Sequence, residues 1–267
     1  MNTPFPKTQF ADDTSFVYSP ELSVLARSQL SLSDENIFAR FGSFPRAENV
    51  SYPIERIVEI AGRTCYLSFS NPSGRDTGEY IENLVRQGHE SVLEHVSWTF
   101  LLSGVSRAFT HQLVRHRAGF SYSQLSQQYV DHRAIRFVVP AEIQSQPGLL
   151  ASWKGTVLAQ RGAYIELVES LNRLPSPLKS REKIRSMRSA ARSVLPNCVE
   201  AVIAVTANAR SWRHFLDVRG ATEGDVEMRR VSALLLHLLK QDAPNMFSDF
   251  SQASLSDGWP IVQKIVR

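Results

Sequence analysis

The 267-residue sequence predicts an α+β fold. Three observations lead there. Apolar residues recur at helical spacing over much of the chain. Residues 96–102 are dense in β-branched and aromatic side chains, as a strand requires. Helical and extended segments also fail to alternate regularly, which argues against a doubly wound sheet. With 43% hydrophobic composition, a chain of this length buries a substantial core.

Taken in order, the first fifty residues read as an N-terminal arm, because Pro4, Pro6, Pro20 and Pro45 punctuate polar stretches; within it 21–29 is expected to make a short helix. Residues 51–267 are expected to form a single α+β catalytic domain. Ile54, Ile57, Val58 and Ala61 predict its first helix, and Tyr80, Leu84 and Val85 the next, with Asn71-Pro72-Ser73-Gly74 as the loop between. The strand over 96–102 ends at Gly104, and Ser106 caps a helix that places Val105, Phe109 and Leu113 on one side. The polar run beyond that helix is expected as a loop. Residues 135–139 alternate as a strand up to Pro140, and 143–174 reads as mostly helical around a Pro-Gly break. Over 181–194, Ile184, Met187, Ala191 and Val194 make an apolar stripe, while Arg181, Arg185, Arg188 and Arg192 make a cationic one. A strand over 199–207, a short helix over 211–219 with Trp212 and Phe215 in the core, and a long helix from Asp225 complete the chain.

Composition excludes several classes. No apolar run approaches the roughly 18 residues needed to cross a bilayer, and the first residues lack an export signal, so a soluble cytoplasmic protein without membrane association is expected. Cys65 and Cys198 are too few for a disulfide scaffold or a zinc site and are expected as reduced, buried thiols. A net charge of +4 suits an anionic small molecule as well as it suits nucleic acid, and nucleic acid is not required. No Gly-x-Gly-x-x-Gly and no Walker-type loop occurs. The histidines of His89-Glu90-Ser91-Val92-Leu93-Glu94-His95 are wrongly spaced for zinc, and no metal is expected. Gly104-Val105-Ser106-Arg107-Ala108 approximates a nucleophile elbow but reads better as a helix cap, and Cys198 reads better as a small buried hydrophobe than as a nucleophile.

The chemistry concentrates in one stretch. Arg115-His116-Arg117 is followed by Ser121-Tyr122-Ser123-Gln124-Leu125-Ser126-Gln127-Gln128-Tyr129, and neither Lys nor an acid interrupts 115–130. Guanidinium forks suit phosphate, while hydroxyls and amides orient whatever carries it.

These residues resemble a known family. The Arg-His-Arg triplet, the Ser-Tyr-Ser-Gln-Leu-Ser-Gln run, Gly88-His89-Glu90-Ser91-Val92-Leu93-Glu94-His95, Arg192-Ser193-Val194-Leu195-Pro196, Asn208-Ala209-Arg210-Ser211-Trp212-Arg213-His214-Phe215-Leu216 and Arg219 are similar, in the same order, to segments of the flavin-dependent thymidylate synthases. The resemblance spans about 54–250. It implies an α+β homotetramer with mixed helices around a central antiparallel sheet and active sites between subunits. Such an enzyme uses FAD, NADPH and 5,10-methylenetetrahydrofolate to methylate C5 of dUMP. UMP as substrate and a non-catalytic nucleotide- or RNA-binding relative stand as alternatives.

The resemblance also implies residue roles. His95, Thr99, Arg115, His116, Arg117, Asn208 and His214 match flavin contacts. Gln112, Gln124, Leu125, Ser126, Gln127, Gln128 and Arg192 match the nucleotide cradle, with Arg192 as the main phosphate fork. Arg219 matches the Arg on the pyrimidine and is the expected catalytic residue, stabilising charge on the uracil oxygen; Arg181, Arg185 and Arg188 read as a solvated face. Three departures from the family pattern stand out. Eight residues separate Arg117 from Ser126, one more than usual, and Ala118-Gly119 is where a loop absorbs the extra one. Gln128 stands where an Arg is usual, and Glu223 where His is frequent.

Overall fold

The structure is a computed structural model that describes residues 15–31, 36, 52–70 and 74–265; Asn71, Pro72 and Ser73 of the expected loop, and most of the expected arm, lie outside the described residues. The chain divides into two compact units. The first comprises Met1–Glu21, Leu102–Arg115 and Ser123–Ile203, the second Leu22–Leu101, His116–Tyr122 and Ala204–Arg267.

In the first unit a short strand β1 (Phe16–Val17) pairs in parallel with β5 (Phe137–Val138), with Phe16 opposite Phe137. The strand expected over 135–139 is thus only its middle, since Pro140 offers no N–H to prolong the pairing. Helix α4 (Ala141–Gln144) leads into α5 (Pro147–Arg173), which opens on its own proline, and α5 packs on α6 (Ser180–Ala191). Two apolar clusters hold these elements. One joins Ile135, Phe137, Val157 and Val199, with Cys198 against it, and the other joins Tyr164, Val168, Met187 and Ala191. The stripe expected on α6 is only partly inward, because Ile184 is exposed.

The second unit carries the ordered sheet. Its strands follow the order β2-β3-β6-β4, from β2 (Glu21–Arg27), β3 (Ser97–Ser106), β4 (Phe120–Gln124) and β6 (Glu200–Asn208), each of which has residues assigned to both units. The Ala209 amide donates to the Val96 carbonyl and Thr99 bonds Thr206, so β3 and β6 run antiparallel. Along β3, Trp98, Phe100 and Leu102 are buried, while Thr99 and Leu101 face a half-open side that β6 continues with Ala204, Thr206 and Asn208. Two expectations are corrected here. Residues 21–27 form a strand rather than a helix, because backbone pairing beside Ser97 outweighs local helix propensity. The polar run after the capped helix contains β4 rather than loop alone.

Helix α1 (Pro53–Tyr66) packs on α2 (Thr77–Arg86), whose Asp76–Glu79 capping box closes its first turn. Buried Glu59 accepts from Arg56, Arg63 and the Thr77 hydroxyl at 2.7, 2.8 and 2.6 Å. Helix α7 (Ala209–Arg219) packs on α8 (Val226–Asp242), and both meet strand β8 (Pro260–Lys264) of a hairpin with β7 (Phe250–Ser254) that the sequence pattern did not announce. Arg213, 2% exposed, holds Glu90 and Asp249 together. Cys65 is exposed near the end of α1 and Cys198 is half-buried, correcting the expectation that both thiols are buried. Among the described residues no helix is long and apolar enough to cross a membrane.

Candidate active site

The sequence-derived site residues fall into one constellation per unit. In the first, β3 does not stop at Gly104 as expected. Gly104 continues the strand at φ +64°, where any Cβ would strike the Ser19 carbonyl, and its amide donates to Glu200 at 2.9 Å. Ser106 then caps helix α3 (Arg107–Leu113) by accepting from the Phe109 amide at 3.0 Å, as expected.

Arg107 is the first residue of that helix, at the positive end of its dipole, and no acid lies in the first turn. It is half-buried. Burial, and then the charge of Arg192, push its pKa below the usual arginine range. Arg192 sits in the turn that ends α6, and among the described residues neither guanidinium has a side-chain partner. Two cations that repel one another and lack an acid make a candidate anion site. Arg107 belongs to none of the segments that carry the family resemblance, and the signal for it in the sequence is a cation just after the Ser106 helix cap.

Around this pair the amide-rich run is held in shape by its own side chains. Gln124 donates to Thr110 at 3.2 Å, and the Leu125 amide donates to Val202 at 2.9 Å. Ser126 turns the chain by accepting from the amides of Gln128 and Tyr129 at 3.2 and 3.4 Å, and Gln127 is buried. Gln128 donates to Ser189 and accepts from Arg185 at 3.2 Å, while Arg188 donates to the Tyr129 carbonyl at 2.7 Å and pairs with Asp131. Arg185 and Arg188 therefore bind the run from α6, which corrects the expectation that they only face solvent. Gln112, at the end of α3, and Arg115, just past it and exposed, complete the first unit's set.

The second unit gathers His116, Arg117, Thr99, Asn208, His214 and Arg219. Asn208 caps α7 by accepting from the Ser211 amide at 2.8 Å. Ser211 donates to the Ala118 carbonyl at 2.9 Å. That leaves Gly119 at φ +74°, where a Cβ would strike the Ser211 hydroxyl. The His116 ring lies among Phe120, His214 and Phe215, with centroids 6.0, 6.1 and 5.3 Å away, and its carbonyl accepts from the Tyr122 hydroxyl at 2.7 Å. Arg219 donates Nε–H to His116 Nε2 at 3.0 Å. Burial first, then the charges of Arg219 and His214, hold the His116 pKa below the ordinary histidine value. Arg117 and His214 are exposed; Thr99 bonds the Thr206 hydroxyl at 2.8 Å on the half-open side of the sheet. His95 ends a 3-10 turn (Glu90–His95), exposed, and Glu223 is exposed beyond α7.

Neither cysteine lies in these constellations. Cys198 packs against Phe137 and Val199, and Cys65 stands on the surface near the end of α1.

Comparison with known proteins agrees with this chemistry. The model of the thymidylate synthase complementing protein family, Thy1, matches residues 50–245. A flavin-dependent thymidylate synthase of Mycobacteroides abscessus is 45% identical over 208 residues, 76% of this chain and 82% of that protein. The flavin-dependent thymidylate synthase of Corynebacterium diphtheriae is 41% identical over 216 residues, 80% and 85% of the two chains, and that of Mycobacterium leprae strain TN 42% over 209 residues, 76% and 82%. With the family match extending over most of its length, the chain belongs to the thymidylate synthase complementing protein family.

Proposed function

We propose that this protein is a flavin-dependent thymidylate synthase that converts dUMP to dTMP. The methylene carbon of 5,10-methylenetetrahydrofolate passes to C5 of the uracil and is reduced there to a methyl group. FAD, when bound, supplies the redox chemistry by relaying reducing equivalents from NADPH. The donor set fits such a group: exposed Arg117 suits a pyrophosphate, and Thr99, Ala204 and Thr206 give the half-open side of the sheet a floor of small side chains. Arg117, His116, Thr99, Asn208, His214, His95 and Arg115 are the residues assigned to hold it.

The observation that carries the substrate reading is the unpaired Arg107–Arg192 couple. It is a preformed site for a phosphate dianion, and Gln112, Gln124, Leu125, Ser126, Gln127 and Gln128 supply the surrounding hydrogen bonds. Arg219 has its Nε–H committed to His116 and no other partner among the described residues, so its terminal N–H groups remain for the pyrimidine. There they stabilise negative charge on a uracil oxygen as C5 becomes nucleophilic, a preorganised donor that needs no thiol adduct. The active form is a homotetramer with sites shared between subunits, acting in the cytoplasm.

Purified protein should be yellow, bleach on addition of NADPH, and release dTMP from dUMP and the folate donor. Product from UMP alone would move the assignment to ribonucleotide methylation. A colourless protein that binds polynucleotide and methylates neither nucleotide would sink it.

A further inference from the structure

Arg219 is the last residue of α7, and the peptide groups of Gly220 that follow it are held by both the helix and β8. The Gly220 amide donates to the Leu216 carbonyl at 2.9 Å, and the Gly220 carbonyl accepts from the Val262 amide of β8 at 3.1 Å. A guanidinium on a long side chain still keeps rotational freedom at its tip, and that freedom lowers its value as a catalytic donor. The bond to His116 removes it. With Nε–H tied down, the plane of the fork is restrained, and its four terminal N–H groups, one of them parallel to Nε–H, have no partner among the described residues.

His116 is itself over-determined. Its carbonyl is held by Tyr122, its ring is packed by Phe120, His214 and Phe215, and the loop that follows is tied to α7 through Ser211 and Ala118. We propose that His116 is a positioning residue that aims the Arg219 fork at the pyrimidine, and that it does so only as the neutral imidazole with its proton on Nδ1. This rests on the reading of Arg219 as the pyrimidine contact. Nε2 can accept from Arg219 only while it carries no proton. Protonation turns the acceptor into a donor and sets two cations 3.0 Å apart.

The charged and titratable groups around the ring favour the neutral form. Arg219 and His214 come from α7, Tyr122 from β4, and Arg117 follows in the chain; no carboxylate is bonded to the ring among the described residues. As pH falls through the lowered His116 pKa, the tether breaks and the fork loses its aim.

Imidazole 15N NMR on the flavin-loaded protein should find Nδ1 protonated and Nε2 bare at neutral pH, with a titration midpoint below that of an ordinary histidine. Arg219→Gln should raise that midpoint. By calorimetry, dUMP affinity of the wild type should weaken in acid, whereas His116→Gln, which keeps an acceptor near Nε2 but cannot titrate, should weaken far less; His116→Ala should bind dUMP roughly tenfold more weakly at neutral pH. A proton on Nε2 at neutral pH, or an unchanged acid fall-off in His116→Gln, overturns the proposal. Intact binding and NMR behaviour without dTMP formation would instead fault the proposed reaction, and failure to bind dUMP at all would overturn both.

Discussion

Replacing His132 with leucine should flatten the acid side of the protein's stability curve. His132 is 2% exposed, its ring lies against Tyr164, and its Nε2 has no partner. Burial lowers its pKa from 6.5 to about 4; Asp131 opposes the change, and Arg107 and Arg188 reinforce it. A depressed histidine means that the unfolded chain takes up a proton that the folded chain refuses. Stability is therefore complete above about 6.5, declines as pH falls, and is fully lost near 4. A gap of about 2.5 pH units at about 1.4 kcal/mol each is worth about 3 kcal/mol, of which about 2 kcal/mol is gone by pH 5. Leucine has a similar volume, leaves no orphaned nitrogen and cannot titrate. Urea unfolding of both proteins at pH 7 and pH 5, at one protein concentration, reads the difference. Wild type should lose about 2 kcal/mol more than the variant over that interval. Parallel losses would mean that His132 titrates normally in the fold and that its burial costs nothing.

Arg107→Gln should raise the dUMP dissociation constant by about tenfold or more, since a charge-assisted phosphate bond is worth about 1.5–3 kcal/mol; because Arg107 only repels Arg192 in the ligand-free chain, thermal unfolding of that chain should not fall. Gly119→Ala forces a side chain into a positive-φ site against Ser211, so it should cost about 1–2 kcal/mol and lower the flavin bound per chain, read by absorbance. Arg213→Leu strands Glu90 and Asp249 and should destabilise by about 3–5 kcal/mol in denaturant titrations.

The sequence was most legible where structure is local. Ser106 and Asp225 each announce a helix by a short polar side chain that accepts an amide three residues on, and both helices start there, whereas Asn208 caps a helix two residues ahead of the start expected at 211. Ile54 and Val58 mark the buried side of α1 by spacing alone. Long-range pairing is what hid the rest. Residues 21–27 have no alternating pattern because nearly all of them are exposed, so only their partner on β3 makes them a strand. The same holds for Phe120–Gln124, whose half-buried side is Phe120, Tyr122 and Gln124, with one purely apolar residue among the three.

The site was legible as a motif but not as a mechanism, and the reason is electrostatic. Elsewhere this chain neutralises its buried arginines: Arg56 and Arg63 share Glu59, Arg213 holds Glu90 and Asp249, and Arg229 holds Asp257. Arg107, Arg192 and Arg219 are the contrast, at least half-sheltered and bonded to no carboxylate among the described residues. In sequence all of these arginines look alike, because which one receives an acid depends on residues that lie anywhere from 3 to 123 positions away. Arg107 and Arg192, close enough to repel and without a carboxylate partner among the described residues, are therefore the ground for the proposal that an external anion completes them.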